Sequence, residues 1–519
     1  MPARFLILCA LLLAAFDVLA AESGQAEHFD VLEYRVLGNT LLDATAIEES
    51  VYPFLGPDGD LGRVEDARKA LEATYRNRGF GTVYVDIPEQ SVDSGIVRLR
   101  VTEGKLRRVA VQGARYFSGR QILAKLPTAE QGTSPSLPQL QAEISALNIE
   151  TRDRRVTPVL AAGTLPGTVD LKLNVDDDLP LHASAEMNDR YTADTSRLRA
   201  TIAVTYDNLF NRLDSLGVQY QTAPTERKEL GVFVASYMAR LDERNRLSFM
   251  FVNSDSNVAA LGTLAVLGRG SIYSGRWQYQ MQNAAEATHS LVVGLDYKDF
   301  RETIRLESDK DFNTPISYLN ASIGHVSAWR LPTTQWQLAT SINFGPRSFI
   351  NSEREFADKR FKGRPNYFYI RSDAAMRWNL PKGFSLRLSL GGQYAVDPLI
   401  SNEQFAVGGA DGVRGYLEAE EIADIGVKSS VELGLPTLRL LGNALVVDSY
   451  GFADAGRVST IEPLPGEDRS ANLLSWGLGL NFGIVDHVAA QFQWAMPRVT
   501  GSHTEAGDSR FHFSLRSSW

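Results

Sequence analysis

Beyond its first ten residues the sequence has no cysteine; the single one among 519 residues is Cys9. Disulfides, thiolate nucleophiles and cysteine-bound metals are excluded from everything downstream. A basic excess is missing as well: 53 Lys and Arg against 62 Asp and Glu leave a formal charge of −9, without the footprint that nucleic acid requires. After residue 21 no apolar run is long enough for a transmembrane helix, so a membrane-spanning chain would have to cross as a closed β-barrel. The seven histidines, at 28, 182, 289, 325, 487, 503 and 512, show no metal-ligand spacing. No glycine-serine nucleophile elbow stands at a strand-to-helix turn. No enzyme activity, cofactor or metal is expected.

What is present begins with MPARFLILCALLLAAFDVLA: Arg4, an apolar run from Phe5 to Phe16, then the small residues before Ala21. This is the order of a secretory signal peptide, with cleavage expected after Ala20 or Ala21 and residues 1–20 removed. The run, about 12 residues, is too short to span a bilayer. Leu8 and Ile7 before Cys9 are not the small residues that a lipoprotein signal needs.

Two units of mixed pattern follow. FDVLEYRVLGN alternates and stops at Gly38-Asn39, and Asp43 can cap the next helix, ATAIEESVYPFLG. VEDARKALEATYRNRGF spaces Val64, Ala67, Leu71 and Tyr75 as one helical face before Gly79. TVYVDIPEQ and IVRLRVTEG read as two strands. From Arg107 the order repeats: RRVAVQGARYFSGRQILAKL is strand, Gly113 turn and helix, LPQLQAEISALN is a helix with Pro138 in its first turn, and two strands close the unit.

From Leu181 to Trp519 strands of about 10 residues take over, the length of a tilted membrane-crossing strand. WQLATSINF sets Trp336, Leu338, Thr340, Ile342 and Phe344 against Gln337, Ala339, Ser341 and Asn343. Short connections (DNLFNRLD, LDERN, RLPTT, NLPKG, GIVDH) alternate with long polar ones at 253–270, 298–314, 345–365 and 455–472. Sixteen strands are expected: 180–190, 197–207, 214–222, 228–240, 245–253, 270–281, 289–298, 315–326, 333–344, 366–378, 384–396, 425–434, 444–454, 472–482, 487–496 and 509–519. Arg371, Asp373, Arg387, Lys428 and Glu432 on the face opposite the apolar one suit a wet lumen better than a sandwich core.

The stretch FAVGGADGVRGYLEAE joins the eleventh and twelfth strands. Gly409, Gly412 and Gly415 lack the phosphate-loop spacing, and no Lys-Ser/Thr follows. In GFADAG, Phe452 and Asp454 share a face with Asp448 and Tyr450, expected to be the lumen.

These residues carry a resemblance. GNTLLD, YRNRGF and VDIPEQSVDSGIVRLRVTEGKL resemble the POTRA domain of two-partner secretion outer-membrane transporters, the ShlB/FhaC/HecB-type haemolysin secretion/activation proteins of the Omp85 superfamily. The resemblance implies a POTRA domain at 29–106, a second at 107–178 and a 16-stranded antiparallel transmembrane β-barrel at 181–519. Val413-Arg414-Gly415-Tyr416 is similar to the family's motif on the sixth extracellular loop, which folds into the barrel. Its arginine meets an acid in an F-x-D segment, here Phe452 and Asp454. Gly408, Gly409 and Gly412 would let the loop approach the wall. A hydrated ion pair contributes only about 0–1 kcal/mol, so Arg414 and Asp454 are expected to position the loop rather than to stabilise it. Phe511, Phe513 and Trp519 of the last strand resemble a barrel-insertion signal, with tryptophan where phenylalanine is commoner.

The implied function is type V export of a partner exoprotein through the outer membrane. The POTRA domains, in the periplasm, would take up the unfolded partner by its N-terminal secretion domain. Outer-membrane lipid and the barrel assembly machinery are the other expected partners. An assembly factor of the same superfamily and a passive porin are the alternatives. The short segment before the first domain leaves no room for the plug helix found in many relatives.

Overall fold

Asp43 and Asp60 start the two helices of the first domain by accepting the Ala46 and Arg63 backbone N–H groups, each at 2.8 Å. The second helix, Leu61–Asn77, therefore begins a turn before Val64, and Val64, Ala67, Leu71 and Tyr75 are buried along it. A three-stranded sheet and a two-stranded ribbon, Phe29–Val31 with Gly56–Gly59, complete the domain; in the sheet Glu33–Leu37 runs parallel to Ile96–Thr102, and Tyr84–Asp86 pairs antiparallel on the other side. The Tyr84 strand is shorter than TVYVDIPEQ suggested. Pro88 has no N–H to donate, and the Gln90 amide takes over by bonding the Arg98 N–H at 2.7 Å and carbonyl at 2.9 Å. Glu103 ties the two ends of the motif together, accepting from the Thr40 hydroxyl at 2.5 Å and the Leu41 N–H at 3.1 Å. Burial pushes the Tyr75 phenol up to about 12, so it stays neutral and donates to Asn39 Oδ1.

The second domain repeats the order, with Lys105–Gln112 parallel to Thr168–Asp177 and Arg154–Ala162 antiparallel to it. Its helix Leu137–Ile149 docks on the first domain: the Leu137 N–H donates to the Gly79 carbonyl at 2.9 Å. A Cβ at Gly79 would stand 2.9 Å from Pro138 Cδ, and one at Gly81 2.8 Å from Leu137 Cδ1. Only glycine admits that approach.

The computed structural model describes residues 28–519 apart from 93, 194, 256–257, 262–263, 282–285, 306–310, 347–349 and 486. The expected signal peptide and Cys9 lie outside the described residues. The chain divides into a unit ending at Leu179 and a unit Pro180–Trp519.

The second unit is a closed antiparallel barrel. Its sixteen strands are β1 (Leu181–Asn188), β2 (Arg199–Leu209), β3 (Asp214–Thr222), β4 (Gly231–Arg240), β5 (Asn245–Ser254), β6 (Gly270–Gln280), β7 (Ala287–Arg305) and β8 (Asp311–Arg330). They continue as β9 (Thr334–Phe344), β10 (Phe368–Asn379), β11 (Ser385–Ala395), β12 (Ile425–Gly434), β13 (Leu445–Ser459), β14 (Ser470–Ile484), β15 (Val488–Pro497) and β16 (Arg510–Ser518). A short strand, Leu438–Leu440, adds to the start of β13.

Strand reaches into two of the expected long loops. β7 continues to Arg305 and β8 restarts at Asp311, with registered pairs throughout, and β13 and β14 pair from Ser459 and Ser470. Polar composition signalled water rather than loss of pairing, because a hairpin rising above a membrane needs no apolar face. The 253–270 connection contains the hairpin Val258–Leu261 with Leu264–Leu267, and the 345–365 connection contains the helix Glu353–Lys359.

Leu295, Ile323, Leu390 and Leu478 expose their side chains outward. Inward-facing polar groups pair instead; Arg276 holds Asp296 through both oxygens, at 2.5 and 3.0 Å. Where the loops gather, Val232, Ile272, Phe300, Tyr318, Tyr367 and Leu399 bury one another in an apolar core shared by seven strands and the loop segments.

Candidate functional site

The connection from β11 to β12, Val396–Asp424, is the sixth long loop. It narrows through a two-strand ribbon, Phe405–Val407 with Glu421–Ala423, before the glycine-rich turn. Gly409 and Gly415 have φ of +87° and +94°, the left-handed region that favours glycine. At Gly409 a Cβ would overlap the Glu418 carboxylate, which instead accepts the Ala410 N–H at 3.0 Å. Gly408 and Gly412 face each other across the same turn, where a Cβ at Gly412 would overlap the Gly408 carbonyl.

At its tip Arg414 is 4% exposed, and its guanidinium is fully engaged. Nε donates to Asp454 Oδ2 and Nη2 to Asp454 Oδ1, both at 2.7 Å. Nη1 donates to Glu432 Oε1 at 2.6 Å, and Nη2 also reaches Ser430 Oγ at 2.8 Å. The Arg414 backbone N–H adds a bond to Asp454 Oδ2 at 3.1 Å, and the guanidinium lies 3.6 Å above the centre of the Phe452 ring. The register of β12 with β13 sets Ser430 opposite Asp454 and Glu432 opposite Phe452, so the acceptors converge on one face. Arg387 bonds the other oxygen of Glu432 at 2.8 Å. Two cations thus meet two carboxylates in the cluster.

The hydrated pair expected for Arg414 and Asp454 is instead dry. The Asp454 side chain has no exposed surface. In such a site the loss of one partner leaves a buried charge, a cost of about 3–5 kcal/mol rather than the 0–1 of a surface pair.

The neighbouring motif residues reach other elements. Val413 is fully buried against Gly456, where a Cβ would stand 2.8 Å from Val413 Cγ2. The Gly415 N–H donates to His512 Nε2 at 3.1 Å. Tyr416, also fully buried, donates its hydroxyl to the Val499 carbonyl at 2.6 Å. Phe452 and Tyr450 lie over Gly477 and Gly479 of β14, where any side chain would collide with the rings. Phe511 and Trp519 are 73% and 63% exposed on the outward face of β16, and Phe513 shares that face by alternation.

The root of the loop has a second buried anchor that sequence reasoning missed. Glu403, 2% exposed, accepts from Tyr318 Oη at 2.6 Å, from Tyr369 Oη at 2.7 Å and from Lys298 Nζ. Asp424, fully buried, accepts the Leu399 and Ile461 N–H groups at 2.8 and 2.7 Å. Glu432 and Ser430 were also missed as partners of Arg414, although Glu432 had been placed on the wet face. A register for β12 against β13 would have found both.

A family model described as haemolysin secretion/activation protein ShlB/FhaC/HecB matches residues 167–482, and one described as POTRA domain, ShlB-type, matches 29–104. The heme/hemopexin transporter protein HuxB of Haemophilus influenzae strain 86-028NP is 20% identical over 458 residues, covering 86% of this chain and 79% of that relative. Among solved structures, CdiB from Escherichia coli superposes with a TM-score of 0.61 at 16% identity, over 97% of this chain and 93% of that one. BamA from Haemophilus ducreyi lacking POTRA domains 1–3 gives 0.61 at 13% identity, over 95% and 100%. At these identities the superpositions show a shared fold.

Proposed function

The chain belongs to the haemolysin secretion/activation protein family ShlB/FhaC/HecB, the two-partner secretion transporters of the Omp85 superfamily, and from that premise we propose that it exports one partner exoprotein, in extended form, from periplasm to cell surface. The barrel sits in the outer membrane, its outward apolar face against lipid, and the domains at 29–106 and 107–178 act as periplasmic POTRA domains. They take up the partner's N-terminal secretion domain by strand addition. Among the described residues Glu33–Leu37 and Lys105–Gln112 each pair on one side only, which leaves edges for such a strand. The opposite edge of the second domain, Arg154–Ala162, carries Pro158 and lacks one donor. Export is driven by folding of the partner outside. During biogenesis the barrel assembly machinery reads the last strand through Phe511, Phe513 and Trp519.

The sixth loop is the conformational element of the pore. The observation that carries this reading is the Arg414 site: a loop tip held by four side-chain bonds and a buried charge cluster has a discrete docked state, where a floppy connection has none. At rest the docked loop and the apolar core around Tyr318 and Leu399 close the lumen. The test is co-expression with a candidate partner exoprotein that carries an N-terminal secretion domain. Removal of residues 29–178 abolishes export while the barrel still inserts; undiminished secretion would sink the proposal.

A further inference from the structure

The barrel closes between β1 and β16, and that seam is short. Registered pairs run from Ser514 to Ser518 against Ser184 to Asn188, with Ala183 and Trp519 exchanging backbone bonds at 2.9 and 3.2 Å below them, and among the described residues the loopward part of β16, Arg510–Phe513, has β15 on one side and no strand on the other. The ladder ends on Asp189, whose N–H donates to the Phe513 carbonyl at 3.3 Å while its Oδ1 accepts the Phe513 N–H at 2.8 Å. His512 sits beside this end, 5% exposed and on the inward face of β16. Its Nε2 accepts the Gly415 N–H at 3.1 Å, which puts the ring proton on Nδ1. Nδ1 stands 3.4 Å from Asp189 Oδ2, a close approach without a hydrogen bond, and this buried nitrogen has no other hydrogen-bond partner among the described residues. One imidazole therefore touches the motif of the sixth loop and both strands of the seam. The residues after Asp189 extend the connection: Arg190 pairs with Asp411, and the Tyr191 carbonyl accepts the Glu418 N–H at 3.1 Å.

We propose that His512 is a positioning residue that couples docking of the sixth loop to closure of the seam. Arg414 fixes the tip on β12 and β13, the tip holds the imidazole through the Gly415 N–H, and the imidazole stands against the carboxylate that ends the β1–β16 ladder. Linkage makes the coupling reciprocal: a seam that opens weakens the loop's hold, and a loop that leaves loosens the seam. The inference rests on the reading of the loop as the moving element.

Amide hydrogen exchange on the full-length protein in detergent micelles tests it. With His512 present, Arg414→Ala raises exchange at the loop and, about tenfold or more, at Ser184–Asn188 and Ser514–Ser518. His512→Gln keeps an acceptor for Gly415 but gives up the reach to Asp189. In that background Arg414→Ala still frees the loop, and the additional seam effect disappears. His512→Asn, which reaches Asp189 but not Gly415, uncouples them in the same way. A purely structural histidine would loosen the seam without changing its response to Arg414→Ala. The proposal is overturned if Arg414→Ala frees the loop and leaves the seam protected, or if the seam responds equally with and without His512. Export is read separately: unchanged secretion by Arg414→Ala with the exchange coupling intact overturns the reading of the loop and leaves the coupling standing.

Discussion

The sixth loop is held at two buried points that solve the same problem differently. At the tip a cation is brought to the wall: Arg414 lies against Asp454 and Glu432, with all of its donors aimed by a planar fork. At the root an anion is brought to the wall: Glu403 is met by Lys298 and two tyrosine hydroxyls from β7, β8 and β10. The guanidinium itself depends on charge geometry under one ring, while Val413 and Tyr416 beside it are buried in a small apolar cluster with Phe405, Val407, Val458 and Leu473. The root is embedded among Phe300, Tyr318, Tyr367 and Tyr369, so apolar packing remains when the charge is gone. The loop should therefore release from the tip first.

The largest effect is expected at the tip. Arg414→Ala leaves Asp454 and Glu432 facing each other in a dry site, a loss of about 3–5 kcal/mol in docking. Export should fall at least a hundredfold while heat-modifiable migration shows a folded barrel; loss of the barrel itself would mean that the loop serves assembly. Glu403→Ala, at about 3 kcal/mol for an unpaired ammonium and two orphaned hydroxyls, should break the other side of the comparison. Steady conductance in planar bilayers rises and export persists; an unchanged conductance would deny the root its sealing role. Arg414→Lys keeps the charge but cannot serve Asp454 through two nitrogens and Glu432 through a third, and an intermediate export defect of about tenfold is expected. Tyr416→Phe removes a hydroxyl that donates to the Val499 carbonyl and accepts the Leu474 and Val499 N–H groups, both at 3.3 Å, about 1–2 kcal/mol, and export measured beside wild type should fall by a few-fold, less than in Arg414→Lys.

The strands were legible because a membrane imposes a period of two and a length, and all sixteen lie within a few residues of their expected positions apart from the extended β7–β8 and β13–β14 hairpins. Those hairpins were hidden because above the membrane both faces are wet and alternation carries no signal. Arg414 and Asp454 could be named together because a motif marks both ends of their contact. Glu403 and His512 could not. Each is an isolated polar residue whose partners lie on other strands, and the shear of the barrel that brings them together leaves no trace in local spacing. The burial of the Arg414 pair was hidden for the same reason: Phe452 was quoted only as part of the motif, and nothing local shows that its ring closes over the guanidinium.

The aromatic rings of β13 have a mechanical meaning. Tyr450 and Phe452 fill the space left by Gly479 and Gly477, and the β13–β14 ladder runs unbroken from Leu445 to Ser459. A one-residue slip would turn both rings outward and drive side chains into the vacated space, so this hairpin resists shear along its whole length. The seam between β1 and β16 has no such key. A pull transmitted along a chain in transit would meet a stiff wall on one side of the loop and a compliant joint on the other, and strain in the barrel would collect where its first and last strands meet.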